Sequence, residues 1–300
     1  MRLSAGSAVV AVALGASAAA AAQPATKPAS VPRASVETVQ LSASVERGKQ
    51  VIPLAPGMEL RDGDRINTGE RSRLVLKLAD GSTMKLGERG SLFVDRMAVR
   101  DDGVFEAALF VAEGAFRFAT AALDRFAGKR RVSIAVNNVT AGIRGTDIWG
   151  KSTSESQIVC LIQGSVEVSP PGERPFTLDR PLTFYALEGT MSRAVANVPE
   201  DRFAEWAAET EQAPGQGVAS RGGKWKITVA SVAKSGDALD VYNRLRRAGY
   251  AAEIAPAKAG EARVYVVRIP GFESEKDAKA VVDVLKAQAE LSKHDYKVGM

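Results

Sequence analysis

The sequence predicts two folded domains of different class, an all-β N-terminal domain followed by a small α+β C-terminal domain. A chain of 300 residues is longer than a single domain of roughly 100–200 residues. Apolar and polar residues alternate from Val39 to Glu46, which is the period of a strand with one buried face. After Lys224, short apolar runs are separated by two amphipathic stretches, which is typical of strands connected by helices.

Residues 1–22 have the composition of an export signal. Arg2 supplies a positive charge, residues 3–14 are mostly apolar, and a run of alanines offers a small-residue cleavage site near Ala22. We therefore expect a mature periplasmic protein with no integral membrane span. An uncleaved anchor is the alternative, because the apolar stretch is just long enough to cross a bilayer. Residues 23–34 are rich in proline and alanine and predict an extended spacer.

Residues 35–198 predict the all-β domain, as a sandwich, a roll or a barrel. Strand-like alternation recurs at residues 74–78, 105–111 and 166–168, with turn signals between the runs. Three glycines each join two such runs, and we expect each glycine at a tight hairpin turn with a positive φ. They are Gly81, Gly114 and Gly164.

Residues 199–212 predict a helix. Phe203 and Trp206 lie on one apolar stripe, and acidic residues crowd the first turn. We expect this stripe to pack on the β domain, although it could instead present Trp206 to a partner. Residues 213–223 are rich in glycine, proline and serine and predict a flexible linker.

Residues 224–300 predict four strands and two helices in the order βαββαβ, which make a small α+β sandwich. The strands are expected at residues 225–229, near 254, at 265–269 and at 296–298. Ser235 is expected to cap the first helix and Gly249 to end it, and Ser274 and Asp277 form a capping box for the second. With both helices on one face of the sheet, the other face is open.

The composition excludes several kinds of chemistry. One cysteine and one histidine are too few for a disulfide framework or a Cys/His zinc site. Cys160 lies in an apolar run and is expected to be a small buried residue. We predict no catalytic residues, no cofactor and no metal site. The net charge of +5 resides in the C-terminal domain, where residues 221–300 hold 15 Lys/Arg against 10 Asp/Glu.

Residues 48–149 resemble the FecR domain. The resemblance rests on LRDGDRINTG at residues 60–69, LVLKLADGS at 74–82 and IRGTD at 143–147. It implies a periplasmic all-β domain used in signalling, with a possible periplasmic protein partner. Within the last motif, Arg144 and Asp147 allow two interpretations: a binding loop, or an ion pair across a turn.

Residues 224–300 resemble the SPOR domain through WKITVASV at residues 225–232 and YVVRIPGF at 265–272. The resemblance implies a fold similar to the RNA-recognition motif. It also implies that the open sheet face binds peptidoglycan glycan strands stripped of their peptide stems. Alternation along the strands places Lys226, Thr228 and Arg268 on that face. The predicted glycan-binding residues are Lys226, Thr228, Ser231, Arg268 and Tyr296. In this family a Gln usually stands where the chain has Thr228.

The sequence therefore predicts a non-catalytic, exported envelope protein that binds peptidoglycan through its C-terminal domain and a ligand or partner through its β domain. No nucleic-acid partner is expected. The alternative is a periplasmic signalling or scaffolding protein that acts through protein contacts of the β domain. A wall-cleaving enzyme is a third hypothesis.

Overall fold

The computed structural model describes residues 33–121 and 129–300. The predicted signal and most of the predicted spacer lie outside the described residues. The described residues all belong to one compact unit. Within the described ranges, no helix is long and apolar enough to cross a membrane.

The first part of the described chain is built from strands. They are β1 (Ala34–Gln40), β2 (Ala43–Arg47), β3 (Gln50–Pro53), β4 (Arg65–Thr68), β5 (Arg73–Leu78), β6 (Thr83–Leu86), β7 (Ser91–Val99), β8 (Phe105–Ala119), β9 (Arg130–Val136), β10 (Val139–Ile143), β11 (Asp147–Ser152), β12 (Ser156–Gln163), β13 (Val166–Ser169), β14 (Phe176–Leu178), β15 (Thr183–Glu188) and β16 (Met191–Asn197). The predicted all-β domain is confirmed.

These strands form two sheets that share β8. In the first sheet the strand order is β1-β5-β6-β8-β11-β12-β15-β16, and in the second it is β3-β2-β4-β7-β8-β9-β10-β13-β14. Both sheets contribute to one core, with Leu76 and Met84 from the first and Ile66 and Leu92 from the second, all at most 2% exposed. The period-two alternation thus buries one face of each sheet.

Gly114 is the point at which β8 passes from one sheet to the other. Its φ is +91°, and a Cβ atom there would lie 2.6 Å from the Cα atom of Gly90. Only glycine fits such a conformation and such a close approach. The long strand can therefore bend and pair in both sheets.

The prediction of three glycine hairpins is correct at one position. Gly81, Gly114 and Gly164 all have a positive φ, and Gly81 lies in the β5–β6 hairpin. Gly114 lies within one strand, and Gly164 connects β12 and β13, which are in different sheets. The hairpin prediction is wrong at these two positions, because a positive φ also serves a bend or a crossover.

Helix α1 (Glu200–Ala208) packs on the first sheet. The ring of Trp206 stacks on the fully buried Trp149, with centroids 4.7 Å apart, and meets Phe184 edge to face. The expectation that the apolar stripe packs on the β domain is confirmed. The helix is shorter than residues 199–212.

The predicted linker contains strand β17 (Val218–Ser220). It pairs antiparallel with β1, where Ser220 lies opposite Thr38. On its other side Ala219 lies opposite Phe272 of β20 (Ala262–Phe272). The prediction of a flexible linker is wrong for these residues, because neighbours on both sides take up their backbone hydrogen bonds.

The C-terminal part has the predicted order of elements. They are β18 (Trp225–Val232), α2 (Ser235–Arg247), β19 (Glu253–Ala259), β20, α3 (Glu275–Lys286) and β21 (Lys297–Gly299). The strand order in the sheet is β19-β20-β18-β21. Ser274 Oγ accepts a hydrogen bond from the Asp277 backbone N–H at 3.1 Å, as the capping box predicts. Ser235 does not cap α2, since the cap position is Lys234.

Candidate functional site

The predicted glycan-binding side chains lie mostly on one face of the C-terminal sheet. Ile227, Val267 and Ile269 are buried on the face that packs against the helices. The residues that alternate with them, Thr228 and Arg268, lie directly opposite each other on β18 and β20. Their side chains are partly exposed on the other face.

A β-bulge in β18 brings Ser231 to this same face. Strict alternation would put Ser231 on the core side with Ile227 and Val229. The register shifts between Thr228 and Ala230, however, so that Ser231 lies opposite Val266. A bulge inserts one extra residue into a strand and reverses the facing of the residues after it. We call Lys226, Thr228, Ser231, Val266 and Arg268 the open face.

Arg268 is not a free cation on the open face. Glu253 of β19 lies directly opposite it, and the Arg268 Nε atom donates to Glu253 Oε1 at 2.5 Å. The two side chains are 34% and 45% exposed. An anionic ligand therefore has to compete with a resident carboxylate.

Glu253 and Lys297 were missed by sequence reasoning. Lys297 lies opposite Thr228 on β21, with its side chain 76% exposed. Alternation from Val298 would have found Lys297, because residues on either side of a core residue face outward. Glu253 could not have been found in this way, since neither strand's sequence predicts the register in which β19 pairs with β20.

Tyr296 does not join the open face, which corrects its predicted place. It precedes β21 and packs against the core of the C-terminal part. Its hydroxyl donates a hydrogen bond to the Leu291 carbonyl at 2.6 Å, and burial raises its pKa to about 12. Its hydroxyl therefore stabilises the C-terminal part of the structure.

The IRGTD motif does not form an ion pair across its own turn. Asp147 forms a two-pronged ion pair with Arg117 of β8, with N···O distances of 3.0 and 2.7 Å. Of the two interpretations, the Arg144–Asp147 ion pair is therefore wrong. Thr146 Oγ1 donates to the Ser165 carbonyl, and Arg144 is exposed at the end of β10.

Burial shifts the pKa values of Cys160 and His294, the one cysteine and the one histidine of the sequence. Cys160 is fully buried, and burial raises the pKa of its thiol to about 12, so the reactive thiolate is scarce at neutral pH. The pKa of His294 is lowered by burial and by the nearby Arg244. Among the described residues, no cluster of three or more His, Cys, Asp or Glu could hold a metal ion.

Comparison with known proteins identifies two domains. Residues 64–167 match the family described as FecR protein, and residues 222–293 match the SPOR domain. No curated protein matches the chain. Two crystal structures of a "putative anti-sigma factor" from Parabacteroides distasonis ATCC 8503 align at 15% identity over 75% of this chain and 92% and 91% of theirs, with TM-scores of 0.38 and 0.39. Similarity at that level supports no conclusion about this chain.

FecR and SPOR domains are typical of cell-envelope proteins and are binding or signalling domains. The SPOR domain supports peptidoglycan binding, and the FecR domain supports a role in signalling or protein interaction. The chain contains a FecR domain followed by a SPOR domain.

Proposed function

We propose that this protein is a non-catalytic periplasmic protein that binds peptide-stripped glycan strands through the open face of its SPOR domain. The FecR domain provides the surface for a periplasmic protein partner. The observation that carries the proposal is the grouping of Lys226, Thr228, Ser231 and Arg268 on one partly exposed sheet face.

The chemistry of the open face suits a stripped glycan strand. Removing the peptide stems leaves a free carboxylate on each muramic acid and uncovers sugar hydroxyls. Lys226 and Arg268 supply charged donors, and Thr228 and Ser231 supply hydroxyls that donate and accept. Val266, between them, offers an apolar patch for a sugar ring.

The ion pair between Arg268 and Glu253 sets the affinity for an anionic strand. We expect Glu253→Gln to tighten binding about two- to fivefold, because Arg268 is then free for the ligand and a like charge is gone. Arg268→Ala should weaken binding about tenfold. Both effects should shrink in high salt, which screens exposed charges.

The measurement is co-sedimentation of the full chain with purified sacculi and with peptide-free glycan strands. Glu261→Gln is the matched control, since it removes the same charge from an exposed position in the β19–β20 turn. The supernatant should contain no released muropeptides. The open face is not the glycan-binding site if three variants bind the strands equally well: Glu253→Gln, Glu261→Gln and Arg268→Ala.

Thr228 limits the affinity in a second way. We expect Thr228→Gln to tighten glycan binding several-fold, since a longer amide adds reach and a second polar group worth about 1 kcal/mol. Thr228→Val has nearly the same shape as the native residue and should weaken binding. The same co-sedimentation assay measures both, and a Gln variant that binds no better than the native protein would contradict this role.

Export is the remaining part of the proposal. We expect the mature protein to begin near Gln23 and to be found in the periplasmic fraction, because the alanine-rich segment ends in a small-residue cleavage site. Intact-mass analysis of that fraction measures the new N-terminus. Full-length protein found only in membranes would favour the uncleaved anchor.

The scaffolding alternative keeps the FecR domain as the functional surface and leaves the SPOR domain structural. It gains support if the protein sediments with neither sacculi nor glycan strands.

A further inference from the structure

A groove on the outer face of the second sheet is lined by a group of exposed cations. It has a volume of about 820 Å³ and is lined by residues of β9, β10, β13 and β14. This lies within the range of roughly 300–1,000 Å³ that is typical of ligand sites. Its lining includes Lys129, Arg131 and Arg144 against the single carboxylate of Glu167.

Among the described residues, Arg144 and Lys129 have no counterion. Asp147, the expected partner of Arg144, is held by Arg117. In the part of the chain that the structure describes, neither the Arg144 nor the Lys129 side chain makes an ion pair or a hydrogen bond. Arg130, between the two sides of the groove, is different: it turns inward and faces the buried Asp80.

The arrangement concentrates like charges. Val132 of β9 pairs with Ile143 of β10, and the next residues outward on these neighbouring strands are Arg131 and Arg144. Arg131 reaches Glu106 at 3.5 Å, but Glu106 also pairs with Arg100 at 3.1 Å. Like charges side by side on a sheet destabilise the fold. A bound anion would relieve this cost.

We infer that this groove is the docking site for an extended acidic peptide segment of a protein partner. The inference deepens the partner role proposed for the FecR domain and rests on it. Lys129 and Arg131 are two residues apart, and alternate side chains of an extended peptide have the same spacing of about 6.6 Å. A glycan strand carries one carboxylate for every two sugars, which is a sparser pattern.

The rest of the lining suits a peptide backbone. Ser133, Ser165 and Thr177 place hydroxyls along the groove, and Gly142 lies in its floor without a side chain. Hydroxyls can donate to peptide carbonyls and accept from peptide N–H groups. The cations then select acidic side chains, and the hydroxyls hold the main chain.

The test is fluorescence anisotropy of the full chain with fluorescein-labelled hexaglutamate, with hexaglutamine as the neutral control. We expect hexaglutamate to bind at 50 mM NaCl, hexaglutamine not to bind, and Arg144→Glu to weaken hexaglutamate binding about tenfold. Lys49→Glu, an exposed cation in the β2–β3 turn at the other end of the same sheet, is the matched control and should change binding less than about twofold.

Glu167→Gln tests whether a loss of hexaglutamate binding could come from misfolding. It removes the carboxylate from the groove, and we expect it to tighten hexaglutamate binding about twofold. A misfolded variant would not bind more tightly. No binding of hexaglutamate, or equal losses in Arg144→Glu and Lys49→Glu, would overturn the inference.

Competition and sedimentation distinguish the remaining outcomes. If inorganic phosphate or peptide-free glycan displaces hexaglutamate at equal concentration, the groove is a general anion or glycan site and the inference is overturned. Arg144→Glu should leave sedimentation with sacculi unchanged. If the protein sediments with sacculi but does not bind hexaglutamate, this inference alone is wrong. If it binds hexaglutamate but does not sediment with sacculi, the proposed glycan binding is wrong.

Discussion

Replacing Asp80 with alanine should lower the free energy of unfolding by about 3–5 kcal/mol, because two buried Ser82 donors lose their acceptor and the Arg130 guanidinium loses a facing carboxylate. Asp80 is fully buried, and its Oδ2 atom lies 3.3 Å from Nε of Arg130, whose side chain is only 7% exposed. The same carboxylate accepts hydrogen bonds from the Ser82 backbone N–H at 2.9 Å and from Ser82 Oγ at 2.7 Å. It thus joins the β5–β6 turn to the start of β9.

Urea unfolding followed by tryptophan fluorescence measures this loss. Asp80→Asn keeps the size of the side chain and an acceptor for Ser82, so we expect a smaller loss than for alanine. Asp101→Ala, at an exposed loop position of the same domain, is the control and should change stability by less than about 0.5 kcal/mol. A loss below 1 kcal/mol in Asp80→Ala would mean that the ion pair does not hold the two segments together.

Replacing Asp277 with alanine should cost about 2–4 kcal/mol, because several buried donors lose their acceptor at once. Asp277 is 2% exposed. Its Oδ1 atom accepts from the backbone N–H groups of Gly217 and Val218 at 3.0 and 2.9 Å, and Oδ2 accepts from Ser274 Oγ at 2.5 Å. One carboxylate therefore fastens β17 to the start of α3.

Asp277→Ala should also have a local effect on the backbone beside the loss of overall stability. Amide exchange at Val218 should become faster in Asp277→Ala, since the N–H group has lost its partner. Asp283→Ala, at an exposed position of the same helix, should leave both the exchange and the stability nearly unchanged. Unchanged protection of Val218 in Asp277→Ala would contradict the fastening role.

Sequence reasoning recovered the parts of the fold that depend on local pattern. The buried positions Ile227, Val267 and Ile269 follow from period-two alternation. The capping box at Ser274 and Asp277 follows from spacing. Both signals lie within a few residues of chain, so neither needs knowledge of a distant partner.

The contacts that depend on strand register could not be predicted from the sequence. The bulge that turns Ser231 outward, the pairing of Glu253 with Arg268, and the choice of Arg117 as the partner of Asp147 all join separate strands. Composition also misled at β17, because glycine and serine are typical of linkers even where backbone pairing decides the structure. The sequence therefore predicted which face of the sheet carries the candidate site, but not the ion pair between Arg268 and Glu253 on that face.

The position of β17 bears on self-association of the FecR domain. Backbone bonds with Gly57, Met58 and Leu60 cover the first half of the free side of β1, and β17 covers Thr38–Gln40. An uncovered strand edge is a template for pairing with another copy of the chain. Because Ser220 follows Thr38 by about 180 residues, this edge stays open until nearly the whole FecR domain has emerged. A chain interrupted before β17 would leave the backbone groups of Thr38–Gln40 exposed, so the segment between the two domains also closes an edge of the first.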